Sequence, residues 1–152
     1  MSFNHLVLAG GGHTHAVMLL RWIKYPHRKP KGLITLINRD STTIYSSMVP
    51  GIISGDYLLE DSQINLRSLA DKAGVVFVLA EIKGLNPKEK ILYLEKRPDI
   101  NFTQISFDIG SGTNVEKVGY GFDIDELAIP IKPFRKALKW IQLQDSQSCG
   151  DE

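Results

Sequence analysis

Leu6-Val7-Leu8-Ala9-Gly10-Gly11-Gly12-His13-Thr14-His15 is the stretch on which the reading of this chain turns. Its opening residues form a contiguous apolar run, as expected of a strand buried on both faces, and Phe3–Ala9 reads as that strand. Three glycines interrupt it. Beyond them Ala16, Val17, Leu19, Leu20 and Ile23 recur at helical spacing, until Pro26 and Pro30 stop the helix. Leu33-Ile34-Thr35-Leu36-Ile37 is a second buried strand rich in β-formers. Strand, glycine turn, helix and strand within about 35 residues make a βαβ unit of a parallel sheet.

In a wound α/β fold such a turn is where a dinucleotide pyrophosphate sits. Gly10 permits the tight turn, and Gly12 keeps a Cβ out of the way of an approaching phosphate. The helix N-terminus adds unpaired N–H groups and roughly half a positive charge. The run departs from Gly-x-Gly-x-x-Gly at His15. A side chain of that size is expected to hold the helix off the strand or to reach over the ligand. The acid expected at the end of the second strand is replaced by Asn38, followed by Arg39 and Asp40. Asn38 keeps an amide for ribose hydroxyls. Arg39 offers a guanidinium to adenine or phosphate, although a solvated surface arginine fits equally well.

Asp40–Asp56 reads as a polar loop containing Tyr45-Ser46-Ser47-Met48-Val49-Pro50-Gly51. A helix is expected over Ser62–Ala73, closed by Gly74. Val75–Leu79 is a third buried strand. Ile82–Leu85 and Ile91–Leu94 form an antiparallel hairpin around Asn86-Pro87-Lys88-Glu89. Ile105–Ile109 is a further strand ending in Gly110-Ser111-Gly112, and an amphipathic helix is expected at about Phe134–Leu143. The fold class is therefore α/β: a Rossmann-like parallel sheet with a β-hairpin or meander crossover.

Bulk properties narrow the function. Of 152 residues, 43% are apolar and 23% charged, the balance of an ordinary globular protein. A net charge of +1 supplies no field for steering nucleic acid. Cys149 is the one cysteine, which excludes an internal disulfide and a Cys-x-x-Cys redox pair and points to a reducing compartment. No secretory signal and no apolar run of about 20 residues is present, so the chain reads as soluble and cytoplasmic. His13-x-His15 is an incomplete metal site with no further ligand at a recognisable spacing, and no metal is expected. Asp108, at a strand end beside glycines, is expected to cap a loop rather than act as a general base.

The order of elements resembles the FAD domain of the pyridine nucleotide-disulfide oxidoreductases, in which a β-meander precedes a glycine-ended strand. Ile109-Gly110-Ser111 stands where that family has Ala-Thr-Gly. The Leu8–His15 run, Tyr45–Gly51, Ile64-Asn65-Leu66-Arg67, Asp108–Ser111, Ile131-Lys132-Pro133-Phe134 and Trp140 are similar to a narrower branch. That branch is the NADH-dehydrogenase-like flavoprotein module that precedes selenide, water dikinase in fused proteins. The resemblance runs to about residue 141, and in this branch His15 and Asn38 are expected variants.

The resemblance implies an FAD-binding domain over 1–144, incomplete, with a polar tail over 145–152. It places Gly10, Gly12, His13, Thr14 and His15 around the FAD pyrophosphate, and Asn38 and Arg39 at the adenosine ribose. It sets Ile82 beside adenine, Ser46, Ser47 and Met48 toward the flavin, and Gly110 and Ser111 over the phosphates. NAD(P)H would be the co-substrate of the complete protein, whose remaining parts include a fused selenophosphate synthase domain. No second glycine fingerprint follows residue 112, so the chain reads as part of an FAD-dependent NAD(P)H oxidoreductase that is inactive by itself. The alternatives are an NAD(P)-binding Rossmann domain without flavin and a non-catalytic nucleotide-binding fragment. The kinase activity itself does not fit, because neither a catalytic Cys or Sec/Lys pair nor a Gly-x-x-x-x-Gly-Lys loop occurs.

Overall fold

A computed structural model describes residues 4–111, 132, 134, 137–141 and 143. These fall into two compact units, one made of 4–45 and 63–110, the other of 46–62 and the described residues from 111 onward.

The first unit is built on a four-stranded parallel sheet. Strand β1 (His5–Ala9) leads into helix α1 (His13–Lys24), and β2 (Leu33–Asn38) returns beside β1 in parallel. Helix α1 ends where the sequence places its break: Tyr25 leaves the helical region and Pro26–Arg28 forms a single 3-10 turn. Next come β3 (Thr42–Ile44), β4 (Gln63–Asn65), α3 (Leu66–Lys72) and β5 (Val76–Leu79). A three-stranded antiparallel meander follows, β6 (Ile82–Asn86), β7 (Ile91–Leu94) and β8 (Ile100–Asn101), before β9 (Gln104–Phe107). The sheet order is β5-β2-β1-β9. The chain thus winds from β1 through β2 to β5, then crosses back to the other side of β1.

Side-chain alternation divides the core into two layers. Leu8, Ile34 and Leu36 pack with Ala16, Leu19 and Trp22 of α1 and Leu66 and Ala70 of α3. Val7 and Ile37 point to the opposite face and pack with Leu92, Leu94 and Phe102 of the meander and its end. Burial on both faces explains why β1 and β2 read as continuous apolar runs. Polar side chains also lie in this interior, among them His5 and Thr35. His5 is buried, its ring nitrogens 2.7 Å from the Asn101 carbonyl and 2.9 Å from Thr35 Oγ1, which ties β1 and β2 to the meander.

The expected hairpin is present. Asn86 Oδ1 accepts from the N–H groups of Lys88 and Glu89, and Lys90 takes the left-handed conformation (φ 55°) that closes the turn. Two expectations need correction. The helix expected over Ser62–Ala73 begins only at Leu66, because Asn65 Oδ1 accepts the Ser68 N–H and caps it. The preceding Gln63–Asn65 is extended and pairs antiparallel with Thr42–Ile44, inside the segment read as a polar loop. Gly74 does close that helix, with φ +63° and its N–H on the Asp71 carbonyl.

In the second unit, Ser46–Met48 is a 3-10 turn running into the short helix α2 (Val49–Ile53), whose end is fastened by Ser54 and Asp56. Residues 134, 137–141 and 143 are helical, as the amphipathic pattern predicts, with Ala137 and Leu138 buried. Among the described residues no helix is long and apolar enough to cross a membrane.

Candidate dinucleotide site

The carboxyl ends of β1 and β9 adjoin where the winding of the sheet reverses, the place where open α/β sheets form their ligand crevice. The glycine turn lies there. Gly10 has φ +94°, and its N–H donates to the Ile37 carbonyl at 2.8 Å. A Cβ on Gly10 would strike the Asp108 backbone, so this position requires glycine on two counts. Gly11 donates to Asn38 Oδ1 at 2.9 Å, and a Cβ there would collide with Leu66 Cδ1. Gly12 donates to the Asp108 carbonyl at 3.0 Å and forms the N-cap of α1. The side chain that a Cβ on Gly12 would meet is the Asp108 carboxylate.

His15 turns inward. It is 1% exposed, the level of a core leucine. Its Nδ1 is 2.7 Å from the Gly10 carbonyl and its Nε2 is 2.9 Å from Ser106 Oγ. A carbonyl only accepts, so Nδ1 carries a proton, and in the neutral ring Nε2 accepts from the serine hydroxyl. The imidazole thereby links the turn to β9 across the space that a third glycine leaves open in the general motif. The His15 backbone N–H, at the third position of α1, donates to Asp108 Oδ2 at 2.9 Å.

Among the described residues the backbone N–H groups of His13 and Thr14 have no acceptor, and both residues are exposed. The His13 ring stacks on Tyr45, centroids 5.0 Å apart and planes at 26°. The two histidines therefore diverge, one ring outward on tyrosine and one buried. Among the described residues no cluster of three or more metal-ligating side chains forms.

Asn38, at the end of β2, spends its amide locally: Oδ1 holds Gly11 and Nδ2 donates to the Asp40 carbonyl at 2.8 Å. Arg39 is exposed, with its Nε 3.6 Å from Asp40. The Ala80 N–H donates to the Asn38 carbonyl at the end of β2, and Ile82 follows two residues after Ala80. Gly110 follows β9 with φ +74°. Gly10, Gly12, His13, Thr14, His15, Asn38, Arg39, Ile82 and Gly110 thus all belong to the first unit. Ser46, Ser47, Met48 and Ser111 belong to the second, where Ser46 and Ser47 are exposed and Ser111 Oγ accepts from Lys132 Nζ at 3.3 Å. Sequence reasoning missed Ser106, Tyr45 and Leu66 as partners of the turn. Tyr45 and Leu66 carried a signal, as members of the Tyr45–Gly51 and Ile64–Arg67 motifs; Ser106 carried none.

No family model and no curated protein matches the sequence. Solved structures do match. The sulfide:quinone oxidoreductase of Aquifex aeolicus is 20% identical, with a TM-score of 0.60 over 70% of this chain and 24% of its own. NDH2 of Plasmodium falciparum, solved with NADH, is 16% identical, with a TM-score of 0.60 over 83% of this chain and 25% of its own. NADH:rubredoxin oxidoreductase of Clostridium acetobutylicum is 20% identical, with a TM-score of 0.53 over 75% and 29%. The chain spans about a quarter of the length of these proteins, and what it shares with them is the FAD/NAD(P)-binding Rossmann-like fold.

Proposed function

We propose that this chain binds FAD at the Gly10–Gly12 turn and forms the FAD-binding part of an NAD(P)H-dependent flavin oxidoreductase. The observation that carries the reading is the pair of N–H groups on His13 and Thr14, without an acceptor among the described residues, at the start of a 12-residue helix beside the adjoining ends of β1 and β9. Two adjacent donors at a helix N-terminus suit the oxygens of a pyrophosphate. FAD is favoured over NAD(P) because a three-stranded meander, rather than a further helix, joins β5 to β9. When bound, FAD would supply the hydride acceptor. The protein's own part is to hold and orient it.

In this reading His13 and Thr14 meet the pyrophosphate, while Gly10, Gly12 and His15 shape the turn beneath it. Asn38 and Arg39 face the adenosine ribose, Ile82 borders adenine, and Gly110 and Ser111 close over the phosphates. Ser46, Ser47 and Met48 approach the flavin. The finer assignment of the parent protein, an NADH-dehydrogenase-like module fused to selenide, water dikinase, is supported by the Gly-Gly-Gly-His-Thr-His run and the Tyr-Ser-Ser-Met-Val-Pro-Gly loop. The natural full-length protein containing this segment should then oxidise NADH faster with an oxidised selenium compound than with a quinone. The reverse preference removes the selenium assignment and leaves the flavin reading standing.

The cofactor is tested by releasing small molecules from the purified protein with acid and identifying them by mass spectrometry, with calorimetric titration of FAD, NADH and ATP. FAD released or bound in one-to-one ratio is the expected result. Nicotinamide dinucleotide alone indicates a Rossmann domain without flavin. Binding of none of the three indicates a turn that holds no nucleotide.

A further inference from the structure

We infer that the Asp108 carboxylate is a built-in competitor for the cofactor phosphate, and that it sets how tightly the turn binds dinucleotides. The inference rests on the dinucleotide reading of the turn. Asp108 Oδ2 accepts the His15 N–H at 2.9 Å, which puts a negative charge on the third N–H of α1. Both carboxylate oxygens lie where a Cβ on Gly12 would stand, so the carboxylate fills the space above the second glycine of the motif. The side chain is held there by its backbone. The Asp108 N–H donates to the Ala9 carbonyl at 2.8 Å, and its own carbonyl accepts from Gly12 at 3.0 Å.

A carboxylate at a helix N-terminus stabilises the helix by meeting its partial positive charge. A pyrophosphate at the same terminus draws on the same charge and the same donors. With Asp108 in place, the donors left to a ligand are those of His13 and Thr14. The third is occupied, and a like charge stands beside the path of the phosphate. Residue 108 therefore works in two opposed directions, stabilising the free protein and weakening its affinity for an anion. A residue that only packs or caps the turn would instead lower both stability and affinity when replaced.

The test compares the chain with Asp108→Asn, which keeps a side-chain oxygen for the His15 N–H and removes the charge, and with Asp108→Ser, which also empties the space over Gly12. FAD and ADP are titrated calorimetrically at low and high salt, and thermal unfolding is followed without ligand. Both variants should bind each ligand roughly ten-fold tighter at low salt, with the gain of Asp108→Asn shrinking at high salt as charge repulsion is screened. Their unliganded Tm should fall by about 1–4 °C, the scale of a lost helix-terminal charge in a chain of this size. Binding by the variants alone, with none by the parent chain, would be the same effect in stronger form. Binding by the parent chain that is unchanged or weakened in both folded variants overturns the inference and leaves the site standing. Binding by none of the three overturns the dinucleotide reading itself, and this inference with it.

Discussion

Replacing His15 with glycine restores Gly-x-Gly-x-x-Gly on paper, yet the contacts of the imidazole predict a loss. The ring is fully buried, and it is the partner of both the Gly10 carbonyl and the Ser106 hydroxyl. His15→Gly removes both hydrogen bonds, opens a cavity the size of the ring and adds backbone freedom at the third position of α1. Together these should lower the unfolding free energy by about 2–4 kcal/mol. Urea denaturation followed by circular dichroism measures it, and a variant as stable as the parent would mean that the ring is not what closes the turn. The same contacts separate the two histidines of the His-x-His pair. His13 is exposed and stacks on Tyr45, whereas His15 is buried and bonds α1 to Ser106 of β9. Asn38 has likewise exchanged the charge of the usual acid for two local bonds that anchor the turn to the end of β2.

The glycine turn is fixed from a second side by α3. Leu66, the first residue of that helix, is fully buried, and its Cδ1 occupies the place that a Cβ on Gly11 would need. Gly11→Ala should therefore cost about 1–3 kcal/mol through overpacking. In the double variant with Leu66→Ala most of that cost should vanish, because the clash goes with the isobutyl group, although Leu66→Ala alone is itself destabilising. A double-mutant cycle reads the coupling, and additivity within about 0.5 kcal/mol would show that the turn and α3 do not press on each other. This contact also shows what the sequence could reveal. β1, α1, β2 and the β6–β7 hairpin were legible because local pattern decides them: apolar runs for doubly buried strands, helical periodicity up to Pro26, and Asn86 at the hairpin turn. The β3–β4 pair was not, since three-residue strands carry no periodicity and Ile64 falls in phase with the helix that follows. The glycines of the site were legible for the same local reasons. Their contacts were not, because Asp108 reaches His15 across 93 residues of chain, and Leu66 meets Gly11 across a shorter but still long-range separation.

Hydride transfer between nicotinamide and flavin requires two rings stacked face to face, and so two dinucleotides held at once. Among the described residues one strand–glycine–helix unit, β1 to α1, stands at the β1/β9 reversal. After residue 112 the sequence contains no second unit of that form, and the oxidoreductases that share the fold extend it over chains of which this one covers 24–29%. Both outer strands of the parallel sheet also present apolar side chains to solvent: Val76 and Leu79 on β5, Phe107 on β9 and Ile109 just beyond it. The 152-residue chain should accordingly bind FAD one-to-one and leave NADH unoxidised. Loaded with FAD under argon and mixed with NADH, it should bleach the flavin absorbance no faster than free FAD does at equal concentration, while dithionite reduces both. Bleaching by NADH clearly above that of free FAD would show that this chain holds the nicotinamide itself. The second nucleotide site would then have to be sought within these residues.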